Sequence, residues 1–486
     1  MEQCLLVLPG AEIPGEILVS DSTLYYVESS RDAHKNVAES LVSISIEIST
    51  IREVLTRWYQ LVDCAMEVFL PGGTTKMFAF TDSKQRDAFL SLLSKLGSPS
   101  TSSPARSNTT MERLTKRWLD GDSTNFEYLM HLNKHSGRTF NDLMQYPIFP
   151  FILSDYESSK IDLRNRNIYR VLCKPISVQD ESKEKQYQEN YAALEHELNQ
   201  SKEKASCGSG LGPYHYGSHY SSSGIVLHFL VRLQPFTEMS LSYQDGSFDL
   251  PDRMFHNMST SWHLASKGSS TDVKELIPEL FYLPEAFVNL DGLKFGVRQN
   301  GDVVDNVVFP QYCDKDPRLF VKVHRQALES DHVREHLCDW IDLIFGFKQS
   351  GKPALEAINV FHPATYYGFD LNSIKDPVQR EARKTMIKMY GQTPKQLFTK
   401  PHPRPVKPYN EQKRLADSSE TKQTKPWSRA RSRSPARLPQ DDFATYSYTI
   451  PKVIDQVEGL KWGYYVGMNY TYILLVLKTI FLYYVD

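Results

Sequence analysis

Residues 125–150 (NFEYLMHLNKHSGRTFNDLMQYPIFP) constrain the fold most, because they hold aromatic, amide and proline side chains at a density that ordinary helices or strands do not need. Thr124 followed by Glu127 gives a capping box, and Gly137 offers a helix stop, so a short helix is predicted between them. The prolines that follow exclude a further regular helix, and residues 146–153 are therefore predicted to form a buried extended segment. Nothing in the stretch resembles a nucleophile, a metal site or a phosphate-binding loop.

The first 98 residues alternate short apolar runs with turn residues, a pattern that predicts short antiparallel strands in a barrel or a sandwich. The seven predicted strands are CLLVLP, GEILVS, STLYYVES, SISIEIS, REVLTRWYQL, AMEVFL and TKMFAF. Gly72 and Gly73 predict a hairpin between the last two. Residues 82–96 are predicted to close this domain as one amphipathic helix, whose inward residues are Phe89, Leu90, Leu93 and Leu96. Residues 99–112 are predicted to be a linker, because this region is rich in Ser, Thr and Pro.

Composition is that of a globular protein without a marked overall charge. The chain has 486 residues, 41% of them hydrophobic, and a formal net charge of -2, so the chain as a whole does not indicate nucleic acid or an anionic membrane as its partner. The six cysteines show no close pairing and no CxxC spacing, which favours thiols in a reducing compartment. The amino terminus lacks the basic region of a secretory signal, and a cytoplasmic protein is expected.

The central part of the chain predicts helices separated by irregular segments. Residues 331–345 place apolar side chains on one face, and a second helix is predicted from Pro377 to Tyr390, before Gly391. Short apolar patches punctuated by proline lie between them and predict a core built from non-periodic segments. Residues 181–204 are charged nearly all round, which predicts either a solvated helix or a partly ordered insertion.

Four further motifs lie downstream of residues 125–150, in the order found in the BEACH domain. They are HYGSHYS at 215–221, PDR at 251–253, DVKELIPELFYLPE at 272–285 and WIDLIFG at 340–346. Because of these motifs, the chain resembles the BEACH family across residues 113–391. Two of its sequence segments, LMQYPIFPFIL and INVFHPATYYG, are most similar to the beige-type branch of that family. The resemblance implies a mainly α-helical BEACH domain with many non-periodic extended segments, within a multidomain α+β chain.

BEACH proteins carry a PH-like domain immediately upstream, so the resemblance implies a PH-like β-barrel with a C-terminal helix at residues 1–98. The ordinary PH fold binds inositol phosphates through Lys and Arg in its first hairpin. Here the corresponding turn, residues 9–16, has no basic residue and two acidic ones, so phosphoinositide binding is not expected. The family-consistent alternative is packing against the BEACH domain, with Arg52, Arg57 and Tyr59 as candidate contacts. These three side chains equally fit the ordinary polar face of an exposed strand.

Four polar residues of the BEACH domain are further candidates for an interface. They are Asn125, Asn133, Asn141 and Asp142. They either line a groove that accepts an extended peptide or satisfy the backbone of a loop-rich core. The second interpretation is favoured for most of them, and a groove near the upstream domain is the site to test.

No catalytic set, metal site or cofactor site is predicted. His215 and His219 would share one face of a helix as zinc ligands, but Gly217 weakens that helix and no Cys or carboxylate completes the set at close spacing. Structural histidines are therefore favoured. Several acidic residues lie among apolar ones, and structural ion pairs are favoured over general acid and base catalysis for them. These residues are Asp252, Asp272, Glu275, Glu279 and Glu285.

The composition changes after Gly391. Residues 392–458 are rich in Pro, Ser, Lys and Arg and are predicted to be a disordered basic linker. Residues 459–467 resemble the beginning of the WD-repeat propeller that follows BEACH domains, and residues 468–486 are an apolar run with Lys478 near its centre. A truncated or alternatively spliced product is the favoured explanation of this end, and a weak tail anchor is the alternative.

The resemblance implies a non-enzymatic scaffold or adaptor in vesicle and lysosome-related organelle trafficking, acting through a composite protein-binding surface of the two domains. Intracellular trafficking proteins are the expected partners, nucleic acid is not expected, and peripheral association with endolysosomal membranes fits this role. One alternative is a membrane-anchored adaptor that uses the apolar C-terminal segment. The other is a hydrolase that uses the region of His215 and His219.

Overall fold

The computed structural model describes residues 2–29, 42–97, 104–204, 212–369, 371 and 374–405. Within these ranges a curled antiparallel sheet and one helix form an amino-terminal unit, and a mostly helical domain follows it. The predicted α+β class, with a PH-like unit ahead of a domain of helices and extended segments, is confirmed. Of the predicted linker 392–458, residues 406–458 lie outside the described residues, and so do the propeller-like residues 459–467 and the apolar run 468–486.

All seven predicted strands are present in the sheet. They are β1 Glu2–Leu8, β2 Ala11–Val19, β3 Thr23–Glu28, β4 Ser43–Glu47, β5 Glu53–Tyr59, β6 Val62–Phe69 and β7 Thr75–Ala79. The strand order is β4-β3-β2-β1-β7-β6-β5, and pairing of Leu5 with Ala79 joins the two meanders into a half-barrel. The turn between β6 and β7 needs its glycines, because Gly72 and Gly73 have φ of 78° and 83°.

Helix α1 (Ser83–Lys95) closes the amino-terminal unit as predicted. The Asp82 side chain caps it by accepting a hydrogen bond from the Gln85 amide, 2.9 Å away. Its inward residues pack into the core of the sheet. Phe89, Leu90 and Leu93 are buried there, and Leu96 is partly buried just after the helix.

The helical domain contains ten α-helices within the described residues, joined by short 3-10 turns and extended segments. They are α2 Pro104–Leu119, α3 Asn125–His135, α4 Glu181–Lys204, α5 Ser223–Leu230, α6 Phe236–Tyr243, α7 Met258–His263, α8 Pro317–Leu328, α9 Asp331–Ile344, α10 Gly351–Glu356 and α11 Pro377–Tyr390. The predicted capping box of α3 is present, with Thr124 and Glu127 as its members. Helix α4 is mostly solvated and is held by Tyr187, which is buried and donates to the Ser270 carbonyl.

The predicted extended segment at residues 146–153 runs through the core of this domain. Phe149 pairs with Leu276 through two backbone hydrogen bonds of 2.8 Å, and Leu153 pairs with Tyr169. All eight residues of the segment are buried. This confirms that non-periodic extended segments contribute to the core of the helical domain.

Two domain limits differ from those predicted. Helix α2 begins at Pro104, inside the predicted linker 99–112. Residues 392–405 remain packed on the helical domain, although disorder was predicted from 392, and His402 is buried, with its amide donating to Asp342. The prediction of disorder from composition was wrong for these residues, because a proline-rich segment can be held in place by backbone and side-chain hydrogen bonds without apolar periodicity. In the part of the chain that the structure describes, no helix has both the length and the apolarity required to cross a bilayer.

Candidate functional site at the domain junction

The sheet of the amino-terminal unit packs against the helical domain along β5, β6 and β7, and we call this contact the junction. The turn between β5 and β6 projects into the helical domain. Its residues Gln60 and Leu61 have φ of 46° and 70°, which costs a non-glycine residue about 1–2 kcal/mol. The Leu61 side chain, only 3% exposed, packs there with Met144 and Ile387. Burial of this side chain by the other unit offsets the backbone strain.

A buried carboxylate lies at the centre of the junction. Glu67 Oε2 on β6 is 2.7 Å from Arg57 Nε on β5, and both side chains are 3% exposed. The other oxygen, Oε1, accepts hydrogen bonds from Thr139 Oγ1 at 2.8 Å and from Asn141 Nδ2 at 3.1 Å. One carboxylate therefore has a cation from its own unit and hydrogen-bond donors from the other. Neither unit alone supplies all of these partners.

Asn141 contacts the amino-terminal unit directly, whereas Asp142 acts on that unit through Gln145. Asn141 Nδ2 also lies 2.8 Å from Thr75 Oγ1 on β7, so its amide reaches two strands. Asp142 accepts from Gln145 Nε2 at 3.0 Å, and that same nitrogen donates to the Trp58 carbonyl at 2.7 Å. Burial raises the pKa of Asp142, although the hydrogen bonds that it accepts from Gln145 and from the Met144 amide oppose the shift. The carboxyl group thus positions the amide that contacts β5.

A second ion pair crosses the junction at its edge. Lys134 of α3 pairs with Glu53 of β5, and its ammonium lies 4.1 Å from the centre of the Phe69 ring on β6. The ammonium therefore has both a carboxylate and an aromatic face of the amino-terminal unit beside it. Sequence reasoning missed Glu53, Glu67 and Lys134. A signal for Glu67 did exist, since it is a single charge within the apolar strand AMEVF.

The other candidate residues lie elsewhere. Arg52 is exposed just before β5, and Tyr59 is buried but donates to Glu12 within its own unit. Asn125 accepts from Trp118 Nε1 and donates to the Leu328 carbonyl, at 2.8 and 2.7 Å.

Asn133 likewise makes its hydrogen bonds within the helical domain, although it also lines a small cavity at the junction beside Glu67 and Lys134. Its Nδ2 donates to the Leu129 and Ile148 carbonyls at 2.9 Å, and its Oδ1 accepts from the Ile148 amide. The structure therefore brings Arg57, Asn141 and Asp142 to the junction. It leaves Arg52 at the surface, and Tyr59, Asn125 and Asn133 within their own units.

His215 and His219 face different partners. His219 Nε2 lies 2.5 Å from Thr365 Oγ1, and its ring stacks on Phe361 with centroids 4.2 Å apart. The His215 ring stacks on Tyr191, and burial lowers its pKa to about 4. Burial also holds the pKa of His219 well below its usual range. The described residues contain no cluster of three or more His, Cys, Asp or Glu side chains placed to hold a metal ion.

The acidic residues of the helical domain follow two patterns. Glu275 pairs with Arg170 at 2.6 Å and accepts from Trp340 Nε1 at 3.0 Å, all three being buried, as predicted for a structural ion pair. Glu279 differs, because its contact is a hydrogen bond of 2.6 Å from Tyr146 Oη rather than an ion pair. Burial raises the pKa of Glu279 to about 7. The Tyr146 hydroxyl group therefore stabilises this carboxyl group by a hydrogen bond rather than by an opposite charge.

Comparison with known proteins identifies both units. Residues 116–405 match the family model of the Beige/BEACH domain, and residues 4–94 match that of the PH domain associated with Beige/BEACH. The lysosomal-trafficking regulator of Homo sapiens is 47% identical over 478 residues, which cover 96% of this chain and 12% of that protein.

Two further relatives also match most of the chain. The lysosomal-trafficking regulator of Drosophila melanogaster is 44% identical over 461 residues, which cover 94% of this chain and 11% of that protein. The human WD repeat- and FYVE domain-containing protein 4 is 42% identical over 364 residues, or 73% of this chain and 11% of that protein. The chain thus spans only a small part of the length of the curated relatives it matches.

Proposed function

The chain belongs to the Beige/BEACH family, and from that premise we propose that it is a non-enzymatic scaffold in vesicle and lysosome-related organelle trafficking. The names of its relatives support the trafficking role, since two of them are lysosomal-trafficking regulators at 44% identity or more. The proposal concerns the part of such proteins that these residues correspond to. In it, the PH-like unit and the BEACH domain form one body that presents a composite surface to trafficking proteins.

The buried Glu67 carboxylate is the observation that carries this proposal. It binds Arg57 within the PH-like unit and accepts hydrogen bonds from Thr139 and Asn141 of the BEACH domain. Separating the units would break the charge-assisted hydrogen bonds to Glu67 and would expose the apolar side chain of Leu61 to water. The two units are therefore expected to stay together, and residues at the rim of the junction keep a fixed relative position.

The first hairpin of the PH-like unit supports protein contact rather than headgroup binding. Gly10, with φ of 72°, faces Met239 of α6 so closely that an added Cβ would lie 2.5 Å from the Met239 Cε atom. Glu12 accepts hydrogen bonds from Tyr59 and from Gln60 Nε2. An acidic turn that packs on the BEACH domain is poorly suited to a phosphorylated lipid.

The buried titratable groups also favour a scaffold over an enzyme. His219 and Glu275 each have a hydrogen-bonding or charged partner within the core. Candidate catalytic groups usually combine a perturbed pKa with access to a substrate pocket. Burial lowers the pKa of His219, but its ring is closely packed against Phe361 rather than open to a pocket.

The proposal is tested by separating the units with a single substitution. Leu61→Arg places a charge in the apolar part of the junction, whereas Val62→Arg changes the next residue, which is 40% exposed. We expect proximity labelling in cells to lose trafficking proteins with Leu61→Arg and to keep them with Val62→Arg. We also expect the wild-type chain, but not Leu61→Arg, to be recovered with endolysosomal membranes.

Identical labelled proteins and identical fractionation for the two variants would contradict the composite surface. A circular dichroism spectrum of each purified variant shows whether the units themselves remain folded. Loss of labelling with a folded Leu61→Arg protein is the result that supports the proposal.

A further inference from the structure

Two histidines lie one helical turn apart on helix α9. His332 and His336 are both half-buried, and the centres of their rings are 4.5 Å apart. An i, i+4 spacing places both side chains on the same face of a helix, which is how helical histidine pairs bind zinc. The apolar side chains of α9, among them Leu337 and Ile341, are buried on another face and anchor the helix.

Contacts with neighbouring groups orient the two rings. The His332 ring packs on Tyr169, with ring centres 4.6 Å apart, as well as on His336. Nδ1 of His336 lies 2.8 Å from the His332 carbonyl oxygen. Because a carbonyl oxygen only accepts hydrogen bonds, this Nδ1 carries the ring proton, and Nε2 of His336 keeps its lone pair for a metal ion.

The surroundings of His332 favour its neutral form. Burial lowers the pKa of His332, and the neighbouring His336 and Arg166 add to the shift. The Nδ1 atom of His332 is buried and has no hydrogen-bond partner among the described residues. Neutral imidazole is the form that binds metal ions, so protons compete little for this ring at neutral pH.

We propose that His332 and His336 together bind one divalent transition-metal ion, such as Zn²⁺. Imidazole nitrogens suit Zn²⁺ and Cu²⁺, whereas Mg²⁺ and Ca²⁺ prefer oxygen ligands. Zn–N bonds of about 2.0–2.1 Å are compatible with ring centres 4.5 Å apart. Within the described residues no third His, Cys, Asp or Glu completes the site, so water takes the remaining positions. Binding is therefore exchangeable and in the micromolar range, unlike that of structural sites with four protein ligands.

The proposed site binds a metal ion but does not catalyse a reaction. Glu335 completes the pattern H-x-x-E-H, which one class of zinc proteases carries on a helix. Catalytic zinc sites also need a third protein ligand, which the described residues do not supply. Glu335 is instead paired with Arg166, at 3.5 Å between Oε2 and Nη2. The guanidinium of Arg166 opposes a cation at this site, and its removal is a sharp test of the location.

The test is a titration of the full, untagged chain with Zn²⁺ after treatment with a chelator, read by competition with a chromophoric zinc indicator. His332→Ala and His336→Ala should each weaken binding at least about 10-fold, because each removes one of two protein ligands. Arg166→Gln should tighten binding by about threefold, because it removes the opposing charge. Zn²⁺ should also raise the midpoint of thermal unfolding of the wild-type chain, and Mg²⁺ should leave it unchanged.

Two further variants separate ligation from folding. His196→Ala removes an exposed histidine of helix α4 and should bind Zn²⁺ within about twofold of wild type. His336→Cys loses the imidazole but supplies a thiolate, which is itself a zinc ligand, so binding should be retained. Retention in this variant together with loss in His336→Ala shows that the side chain acts as a ligand rather than as a packing group.

Two results would overturn the inference. One is a wild-type chain that does not bind Zn²⁺. The other is binding that is unchanged in both His332→Ala and His336→Ala, which would assign the ion to another group, such as the exposed thiol of Cys173. The inference does not depend on the proposed scaffold role, because zinc binding is measured on the isolated chain.

Discussion

Arg57 Nε lies 2.7 Å from Glu67 Oε2, in an ion pair that is buried although both residues belong to strands of a small sheet. The pair is buried because the BEACH domain covers this side of the sheet. Thr139 and Asn141 donate to the same carboxylate from that domain. The arrangement couples the fold of the PH-like unit to its contact with the BEACH domain, since a buried charge needs all of its partners.

Removing the cation should therefore be costly. Arg57→Ala leaves the Glu67 charge buried without its counter-ion, and the free energy of unfolding should fall by about 3–5 kcal/mol. Arg52→Ala, an exposed residue near the same strand, should change it by less than about 0.5 kcal/mol. Urea unfolding of the full chain measures both values. Equal stability of the two variants would show that Arg57 is not an essential partner.

Leu61 allows a test of the strained turn. Leu61→Ala should lower the free energy of unfolding by about 2–5 kcal/mol, because a buried leucine side chain is lost from the junction. Leu61→Gly loses the same contacts but relieves the positive φ, so it should be no less stable than Leu61→Ala. At a position with ordinary backbone angles, the glycine variant would be less stable than the alanine variant. If urea unfolding shows the glycine variant to be the less stable one, Leu61 is not strained.

Truncation of Asn141 and truncation of Asn125 should have different effects on hydrogen exchange. Asn141→Ala removes an amide that reaches Glu67 and Thr75 across the junction, so hydrogen exchange should increase in β6 and β7. Asn125→Ala breaks contacts inside the BEACH domain and should leave exchange in those strands unchanged. Both variants should lower stability by about 1–3 kcal/mol. The same exchange pattern in both would remove Asn141 from the junction.

Glu279 should make stability depend on pH. Burial raises its pKa in the folded chain from 4.5 to about 7, so the folded state binds more protons than the unfolded state between these values. Stability from this group is therefore present at low pH and is lost as pH rises through about 7.

Glu279→Gln keeps an acceptor for Tyr146 without a titratable group. The variant should match the wild type near pH 5 and exceed it in stability near pH 8, as measured by urea unfolding. Glu195→Gln, on the exposed surface of α4, controls for loss of a carboxylate. A difference between Glu279→Gln and wild type that stays constant with pH would show that Glu279 does not titrate in this range.

Phosphoinositides should add nothing to membrane recruitment. The first hairpin packs against Met239 through Gly10 and carries Glu12 rather than a basic residue. Vesicles that contain phosphatidylinositol 4,5-bisphosphate should therefore bind the full chain no better than phosphatidylserine vesicles of equal surface charge. Stronger sedimentation at matched charge would show that the hairpin, or another specific site, recognises the headgroup.

Local patterns predicted much of the fold because they act over a few residues. Thr124 and Glu127 satisfy each other's backbone amides, and their spacing alone predicts the start of α3. Proline and glycine likewise predicted where α11 begins and ends. The limit at 391 was not predictable in this way, because His402 is ordered by Asp342 and Tyr128, which are far away in the sequence.

The candidate site was predictable only in part. Arg57 was a candidate because the family resemblance implies that the first domain packs on the BEACH domain. Asn141 and Asp142 were candidates because polar residues in a loop-rich core satisfy the backbone or line a groove. The same reasoning selected Asn125 and Asn133, which serve the core of one domain. Residue type cannot distinguish these cases, since an amide that bonds within a domain and one that bonds across a junction obey the same rule.

By itself, the sequence determined the strands, the principal helices and the family, because alternation, capping residues and motif order are properties of neighbouring residues. Only the tertiary structure decided that Glu67, Lys134 and Leu61 meet at one junction. A charged side chain on the outer face of a strand becomes buried only when residues far away in the sequence pack over it. The pattern of neighbouring residues does not indicate which distant residues do so. Burial of these side chains at the junction, rather than their identity, is what only the tertiary structure shows.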